Sequence, residues 1–497
     1  MTAFIIVVAY MVFLLVVSFM ARARQKRVEQ EGAKTEGFLL ASRSLGPVLV
    51  AFTLIGSALG ANGTVGIAQN GYRFGVSSFW YDGAFGIGII VTAFLFVEQL
   101  RKLNLTTITQ VYGDFYGEST RVLVSLGQIF MQFCIMVSQY IAGGVILNAI
   151  LPQYFSYTGG MITSAVIYIV IAMIGGMSST AFTNVLNICL LYGGSIIAVI
   201  MCMIKGGGLG NIIAATPNPD LFTHPVDGLT LGVTLSYLLL FLVNVPTGTA
   251  TIQFAFSAKD SKAAKWAYFW SGIAVLPFGL STALVGMYAA GAFPGLENTA
   301  SALPVVVMTF PGVLAGIVLA GMWAADVSSA TAYIMGGSAL FVNDIYNPLI
   351  KKGKATDQEQ LICSKVVAIV FALAALFCAF KVDSLLQFTT FGLALSVGYF
   401  IVLIASIYFP KLCKKSSANV IFVVSLVNSV IWQVAGAENS IFHFVRKLPH
   451  ITFMHLIVLV PLFLIVALID KRPAFYRTKG YEQKYGQVAL PNLEIVE

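Results

Sequence analysis

Apolar residues along this chain are gathered into long blocks that are separated by short polar segments. Each block runs for about 18–28 residues, which at about 1.5 Å per helical residue is enough to cross a ~30 Å hydrocarbon layer. The pattern predicts about thirteen membrane-spanning helices. They are 3–20, 46–66, 76–98, 122–150, 159–176, 181–204, 229–256, 264–290, 311–341, 361–380, 384–408, 419–436 and 451–470.

The composition favours a membrane protein over a water-soluble one. Of 497 residues, 58% are hydrophobic and 10% are charged, whereas soluble domains are about 45–50% apolar and about 25% charged. The longest polar stretches, 21–45, 205–228 and 343–360, are too short to bury a core. We expect one all-α polytopic domain over 1–497, with a cytoplasmic tail at 471–497.

The basic residues predict the orientation of the helices. With the N-terminus outside and the spans alternating, 23 of the 29 Lys and Arg residues fall in inside loops, 5 in outside loops and Lys365 in a helix. This is the positive-inside pattern. Basic residues follow the 3–20 helix instead of preceding it, which is the reverse of the charge order in a cleavable signal peptide. We expect a protein of the cell (inner) membrane with its N-terminus outside and its C-terminus in the cytoplasm.

The sequence contains no pattern typical of an enzyme. Its six cysteines lack metal-ligand spacing, and its four histidines form no nucleophile or zinc motif. The net charge of +8 is scattered over separate loops, so it does not indicate a nucleic-acid surface. We expect the bilayer as partner, with neither nucleic acid nor an obligate protein partner. A membrane enzyme stays open, as does a transporter-like membrane sensor, although the predicted C-terminal tail is short.

Two apolar blocks contain residues that interrupt a helix. Gly56–Gly63 holds three glycines in eight residues, and Asn244–Thr249 holds a proline and a glycine. With the 3–20 helix set aside, these are the first and sixth helices, the corresponding positions of two five-helix repeats. We place the repeats at 46–204 and 229–408, and two accessory helices at 419–470. The alternative is that the small residues only allow close helix packing.

Polar groups at these breaks are the candidate solute ligands: Asn62, Gly63, Tyr81, Asp82, Asn244 and Thr247. Carboxylates inside a membrane are costly, so Asp82 and Asp326 are functional candidates. Two buried carboxylates with no buried arginine to pair with them favour a solute that carries a positive group, such as an amino-acid-like solute or an amine. An anion bound at a broken-helix N-terminus is the alternative.

Oxygen atoms for a cation converge near the first break. Ala325, Ser328 and Ser329 share one helix face, and the carbonyls freed near Gly56 and Leu59 complete five neutral oxygens, a set suited to a hard alkali cation. The serines could instead bond to their own helix. Asp326, three residues before Ser329, could tune this site or carry a proton. A proton-coupled transporter using Asp326 or Asp82 is therefore an alternative.

Five short motifs follow one another along the chain. They are Glu36–Gly46 (EGFLLASRSLG), Gly71–Gly75 (GYRFG), Thr107–Gln110 with Phe115–Tyr116, Ile174–Asn184, and Ser328–Ser329 followed by Asn343–Tyr346 (NDIY). In this order they resemble motifs of the sodium:solute symporter family. The resemblance implies a LeuT-type five-plus-five inverted repeat with broken first and sixth core helices. It also implies sodium-coupled symport, with Na⁺ at Gly56, Leu59, Ala325, Ser328 and Ser329.

The chain departs from the family pattern at two sets of positions. Asn184 and Ala332 stand where members with a second sodium site carry a carboxylate and a hydroxyl, although Thr331 retains its hydroxyl. We therefore expect one sodium per solute. Gly63, Phe85 and Phe241 stand where sugar transporters have polar residues, so a hexose is not favoured.

Overall fold

The computed structural model describes residues 2, 4–10, 12–13, 16, 46–103, 107–175, 177–436, 441–479 and 481–482. Within these ranges it describes only the backbone of Ser57 and of 174–184. Segment 36–45 of the family-like motif, the end of the predicted 3–20 helix, the Asn184 side chain and most of the predicted tail lie outside this description.

The described chain is built from α-helices joined by short turns, and no β-sheet occurs within it. The helices are α1 (Pro47–Ala58), α2 (Ile67–Phe74), α3 (Trp80–Leu95), α4 (Val97–Lys102), α5 (Ile108–Tyr116), α6 (Glu118–Ile150), α7 (Tyr157–Gly175), α8 (Met177–Gly206), α9 (Leu209–Ala214), α10 (Pro219–Thr223), α11 (Leu231–Asn244), α12 (Thr249–Ser257), α13 (Ser261–Ala292), α14 (Ala302–Met308), α15 (Gly312–Phe341), α16 (Asp357–Ala379), α17 (Leu385–Leu393), α18 (Ser396–Tyr408), α19 (Ser417–Val434) and α20 (Ile451–Ile469).

Nine helical segments of the described chain are long and apolar enough to cross a membrane, or ten when the bent pair α11 and α12 counts as one span. This confirms the prediction of an all-α polytopic membrane protein. The predicted number of thirteen is not confirmed, because three further apolar helices, Pro47–Gly56, Tyr157–Met173 and Thr299–Met308, are shorter than a full span. The repeat boundaries 46–204 and 229–408 stay a prediction.

Both predicted helix breaks are present. α1 ends at Ala58, and residues 59–61 leave the helical path before a π-helix, Asn62–Gly66, leads into α2. α11 ends at Asn244, and the chain bends by 44° before α12 begins at Thr249. Pro246 explains the second break, because it has no N–H to continue the helix. At both breaks a backbone group bonds to a side chain of another helix: the Ala61 N–H donates to Gln139, and the Thr247 carbonyl accepts from Gln128.

Close packing of α3 against α13 lies behind the first break. A methyl group on Gly86 of α3 would lie 2.8 Å from the Gly272 carbonyl, and one on Gly272 would lie 2.6 Å from the Gly86 carbonyl. Glycine at both positions lets the two backbones approach, as is common between membrane helices. This contact fixes α3 and the residues that it presents to the interior.

The segment after α20 folds back onto the bundle. Pro473 forms an antiparallel bridge with Lys414, and the ring of buried Tyr476 stacks on Phe115 of α5 with centroids 4.5 Å apart. Asp470 accepts hydrogen bonds from Arg472 and from Ser416. The Arg472 guanidinium holds the pKa of Asp470 well below its usual value. These contacts tie the end of the last helix to α5 and to the turn before α19.

Candidate functional site

The break in the first helix lies directly against α15. A methyl group placed on Gly60 would lie 3.0 Å from Ser329 Oγ and 3.3 Å from Ser329 Cβ. Ser329 is buried, and its hydroxyl has no hydrogen-bond partner among the described residues. An unpaired buried hydroxyl is unfavourable, and such groups inside a membrane mark functional sites. Ser329 Oγ and the break at Gly60 therefore define one side of a candidate ion site.

The end of α1 supplies further oxygen atoms at the same place. Helical bonding stops at Ala58, so the carbonyls of the last turn, including that of Gly56, lack the usual helical partners. Leu59, with φ −95° and ψ 35°, begins the non-helical segment. The C-terminal end of a helix also carries partial negative charge, which favours a cation. The carbonyls of Gly56 and Leu59 are the two ligands that the sequence predicts on this helix.

Ser328 and Ala325, the other predicted ligands on α15, bond to each other. Ser328 Oγ donates to the Ala325 carbonyl at 3.0 Å, and Thr331 Oγ1 donates to the Ser328 carbonyl at 3.0 Å. This is the local bonding that serine and threonine often make in membrane helices. The two predicted oxygens of Ala325 and Ser328 therefore lie 3.0 Å apart on α15.

Gln139 of α6 holds the first break from another side. Its Oε1 accepts a hydrogen bond from the Ala61 N–H at 3.3 Å and would lie 3.4 Å from a methyl group on Gly60. Gln139 is absent from the predicted ligands, but the sequence carries a signal for it. Gln128, Gln132 and Gln139 follow an i, i+4, i+11 spacing, so one face of an otherwise apolar helix is polar.

A cavity of about 660 Å³, part of it open space, lies between the two helix breaks. The first break contributes Ala58 and Asn62, and the second contributes Asn244 and Gly248. Tyr333 of α15, one turn beyond Ser329, also lines the cavity. The cavity and the candidate ion site therefore share both α1 and α15.

One wall of the cavity is aromatic. Phe241 of α11 meets Tyr81 and Phe85 of α3 edge to face, each with centroids 4.9 Å apart. The polar side chains of the lining are amides and hydroxyls, including Gln128 and Gln132. Among the described residues, no Asp, Glu, Lys, Arg or His lines this cavity. It is a neutral site with an apolar wall and several hydrogen-bonding groups.

Two neighbouring helices fix the geometry of the second break. Gln128 of α6 accepts from the Thr249 hydroxyl at 3.0 Å and donates to the Thr247 carbonyl at 2.9 Å. Asn244 Nδ2 donates to Ser396 Oγ of α18 at 2.7 Å. The broken helix is thus held from both sides by side chains that belong to other spans.

The predicted solute ligands separate into two groups. Asn62, Tyr81 and Asn244 line the cavity. Gly63, Asp82 and Thr247 are buried but do not line it, and Thr247 Oγ1 donates to the Val243 carbonyl of its own helix at 2.7 Å. The structure therefore brings half of the predicted set together around one cavity.

Asp82 lies between the first break and α13. A methyl group on Gly63 would lie 3.1 and 3.2 Å from its two carboxyl oxygens, and one on Gly279 would lie 2.7 Å from its Cβ. Asp82 is fully buried, and neither oxygen has a hydrogen-bond partner among the described residues. Its carboxyl faces the backbone of the break, outside the set of residues that line the cavity.

Asp326 lies on α15 three residues before Ser329 and is also buried. Its carboxyl accepts a hydrogen bond from Tyr168 Oη of α7 at 2.5 Å. It does not line the cavity either.

A polytopic helical bundle with a cavity between two broken helices is the architecture of a secondary transporter. The chain belongs to the sodium:solute symporter family, whose model matches residues 38–444. The family consists of transporters and not of enzymes, and sodium is the coupling ion. The protein is accordingly a multi-pass membrane symporter that is driven by sodium.

Individual relatives are distant. The uncharacterized symporter YwcA of Bacillus subtilis is 23% identical over 400 residues, which are 78% of this chain and 76% of YwcA. A monocarboxylic acid transporter of Corynebacterium glutamicum is 23% identical over 382 residues, 70% of this chain and 69% of its own. A Na⁺-coupled sialic acid symporter in a substrate-bound outward-open state has a TM-score of 0.75 at 19% identity, over 95% of this chain and 99% of that one. The last similarity shows that the fold is LeuT-type.

Proposed function

We propose that the protein carries a small solute through the central cavity and that sodium binding at Ser329 controls this step. The observation that supports the proposal is that one short break serves both sites. Gly60 contacts Ser329, while Ala58 and Asn62, on either side of the break, line the cavity. An ion that fixes the position of the break also fixes two residues of the solute site. Such a shared element provides coupling by alternating access.

The proposed sodium ligands are the carbonyls of Gly56, Leu59 and Ala325 and the hydroxyls of Ser328 and Ser329. All five are neutral oxygens, which suit a hard cation, and α1 directs its negative end toward them. We keep a stoichiometry of one sodium per solute, because Ala332 has no side-chain hydroxyl to offer a second ion and Asn184 has no charge. The N-outside orientation and the inner-membrane location also remain predictions.

The cavity supports a solute with an acceptor group and an apolar body. Asn62 Oδ1 accepts from Thr389 at 3.3 Å, so its NH₂ group is available as a donor. Ala250 and Thr251 line the cavity from the first turn of α12, where backbone N–H groups lack helical partners. These donors suit a carboxylate or an amide carbonyl, and the aromatic wall suits the body. The similarity to a monocarboxylic acid transporter agrees with such a solute.

An amine is the less favoured solute. The sequence favours it because of two buried carboxylates, Asp82 and Asp326, but neither of them lines the cavity. An ammonium group in the cavity would lose water and meet only neutral groups, which is unfavourable. An amino acid retains a carboxylate for the donors, and its ammonium group would depend on amide and hydroxyl oxygens.

Uptake into proteoliposomes tests both parts of the proposal. The solutes are phenylacetate, phenylacetamide and phenethylamine, which share one aromatic body and differ in the polar group. We expect uptake or competition by the first two that is stimulated by an inward sodium gradient and not by a potassium gradient. Preference for phenethylamine would overturn the solute class. Solute uptake that is equal in sodium and potassium would overturn the role of the sodium site.

A further inference from the structure

α6 is one continuous helix that bonds to both helix breaks. It runs for 33 residues, Glu118–Ile150, without an internal proline. At the first break, Gln139 Oε1 accepts from the Ala61 N–H at 3.3 Å. At the second break, Gln128 Nε2 donates to the Thr247 carbonyl at 2.9 Å. The backbones of both interrupted spans are therefore bonded to one helix, each through a single amide side chain.

The two glutamines lie on one face of α6. They are 11 residues apart, which is three helical turns with a remainder of about 20° and a distance of about 16–17 Å along the axis. Gln128 is 2% exposed and Gln139 is 1% exposed. α6 also packs against α7, α15 and α17. Because a hydrogen-bonded helix is rigid over three turns, the two amides keep a fixed relative position, and a displacement of α6 moves both.

Gln128 spans the second bend from one side to the other. While its Nε2 donates to the carbonyl of Thr247, its Oε1 accepts from the Thr249 N–H at 3.3 Å and from the Thr249 hydroxyl at 3.0 Å. Thr249 is the first residue of α12. A buried backbone group without a partner is costly inside a membrane. Each amide therefore has two discrete arrangements, one bonded to its break and one released at a cost.

Gln132 lies between these two glutamines and provides a matched control. It is one turn from Gln128 on the same face, and it lines the cavity. Its Oε1 would lie 2.6 Å from a methyl group on Gly336 of α15. In the described part of the chain, no hydrogen bond joins Gln132 to either break. It therefore shares the residue type, the helix and the cavity with Gln128, but not the bonds to the second bend.

A direct contact between the two interrupted spans is the alternative route. α12 packs against α1. This contact joins the two helices, whereas Gln128 bonds to the bend on both sides of Gly248. The two routes differ in one testable respect, because only the route through α6 requires the amide of Gln128.

We infer that α6 transmits sodium binding from the first break to the second, with Gln139 and Gln128 as its positioning residues. The inference rests on the proposed function, which places sodium at the first break and the solute between the breaks. Sodium orders the break around Gly60, so the Ala61 N–H stays bonded to Gln139 and α6 stays in place. Gln128 then keeps the second bend in the arrangement that lines the cavity. The solute binds best when both breaks are ordered in this way.

Hydrogen exchange of the purified full-length protein tests this transmission without a solute. The readout is the peptide that covers residues 247–257, compared in saturating sodium and in potassium. We expect sodium to slow its exchange by about fivefold in wild type, the effect of one hydrogen bond on local opening. Gln128→Met keeps the length of the side chain and removes both polar groups, so the slowing should vanish. Gln132→Met should retain it.

Sodium affinity, measured by thermal shift, separates a positioning role from a general loss of structure. Gln128 does not bond to the first break, so Gln128→Met should bind sodium within about twofold of wild type. Solute titrations add a second readout, with phenylacetate as the probe. Sodium should raise its affinity by at least about fivefold in wild type, the lower end of the range for coupled sites, and by less than about twofold in Gln128→Met.

Gln139→Met is the second variant, and it decides if Gln128→Met does not fold. It removes the bond to the first break and leaves the second bend bonded to Gln128. At its own saturating sodium concentration, exchange of the 247–257 peptide should no longer respond to sodium. A response equal to that of wild type would overturn the inference.

The other outcomes that overturn the inference are distinct. Sodium that stabilises the wild-type protein but leaves exchange at the second bend unchanged would overturn it and leave the sodium site intact. Retained slowing in Gln128→Met would assign the transmission to the direct contact between α1 and α12. Equal loss in Gln132→Met would remove the special role of Gln128. No response to sodium in any assay would overturn both this inference and the proposed function.

Discussion

Replacing Ser329 by alanine should weaken sodium binding without weakening the fold. The hydroxyl is buried, lacks a partner in the described structure and faces Gly60. If it binds sodium, its loss removes an interaction with a charged group that is worth about 1.5–3 kcal/mol, which raises the half-saturating sodium concentration by about 10- to 100-fold. Without sodium, removing an unpaired buried hydroxyl should leave the melting temperature equal or higher.

A matched serine on the same helix provides the control. Ser338 is also buried on α15, but its hydroxyl donates to the Met335 carbonyl at 2.9 Å and lies 3.1 Å from Ser364 Oγ. Ser338→Ala should therefore lower the melting temperature and keep the wild-type response to sodium. Thermal shift and sodium-dependent uptake measure both effects. Unchanged sodium affinity in Ser329→Ala, or an equal loss in Ser338→Ala, would refute the assignment.

Four further predictions follow from the same structure. Gly60→Ala should abolish the sodium response, measured by thermal shift, because its methyl group would lie 3.0 Å from Ser329 Oγ; retained sodium affinity would contradict this. Asp82→Asn should keep solute affinity within about twofold in ligand titrations, because Asp82 does not line the cavity. A larger loss would return Asp82 to the solute site. Arg121→Ala should cost about 3 kcal/mol, because buried Asp344 loses its charged partner at 2.7 Å and keeps only the hydrogen bond from Ser125 Oγ at 2.6 Å. Adding Asp344→Asn should restore most of the melting temperature; no recovery would argue against the pair. Sodium dependence of uptake should show a Hill coefficient of about one, because a single ion is bound per solute; a clearly higher value would indicate a second sodium site.

Much of the fold follows from the pattern of the sequence. Long apolar blocks predict membrane helices because a bilayer leaves few alternatives for the backbone. The two breaks are also predictable, because Pro246 removes a helical N–H and glycines cluster around Gly60. The number of spans does not follow in the same way, since α1, with 12 residues, is shorter than the apolar block 46–66 from which it was predicted. Hydropathy does not record where a helix ends inside a block.

The candidate site is only partly predictable. Helical spacing places Ser328 and Ser329 near each other, but it does not say which hydroxyl bonds to its own helix and which faces the break. Only the packed structure distinguishes Ser328, bonded to Ala325, from the unpaired Ser329. The position of Asp82 also depends on side-chain direction across α3 and α13, which sequence spacing does not give.

The fold-back of the final segment has a consequence for biosynthesis. Phe115 lies in the first part of the chain, yet its ring is covered by Tyr476, which the ribosome adds after α20. The surface of α5 is therefore completed only after α20 has been synthesised. A chain that ends before Tyr476 leaves the Phe115 ring without this cover. Affinity tags for purification should accordingly be attached through a linker that begins beyond residue 482.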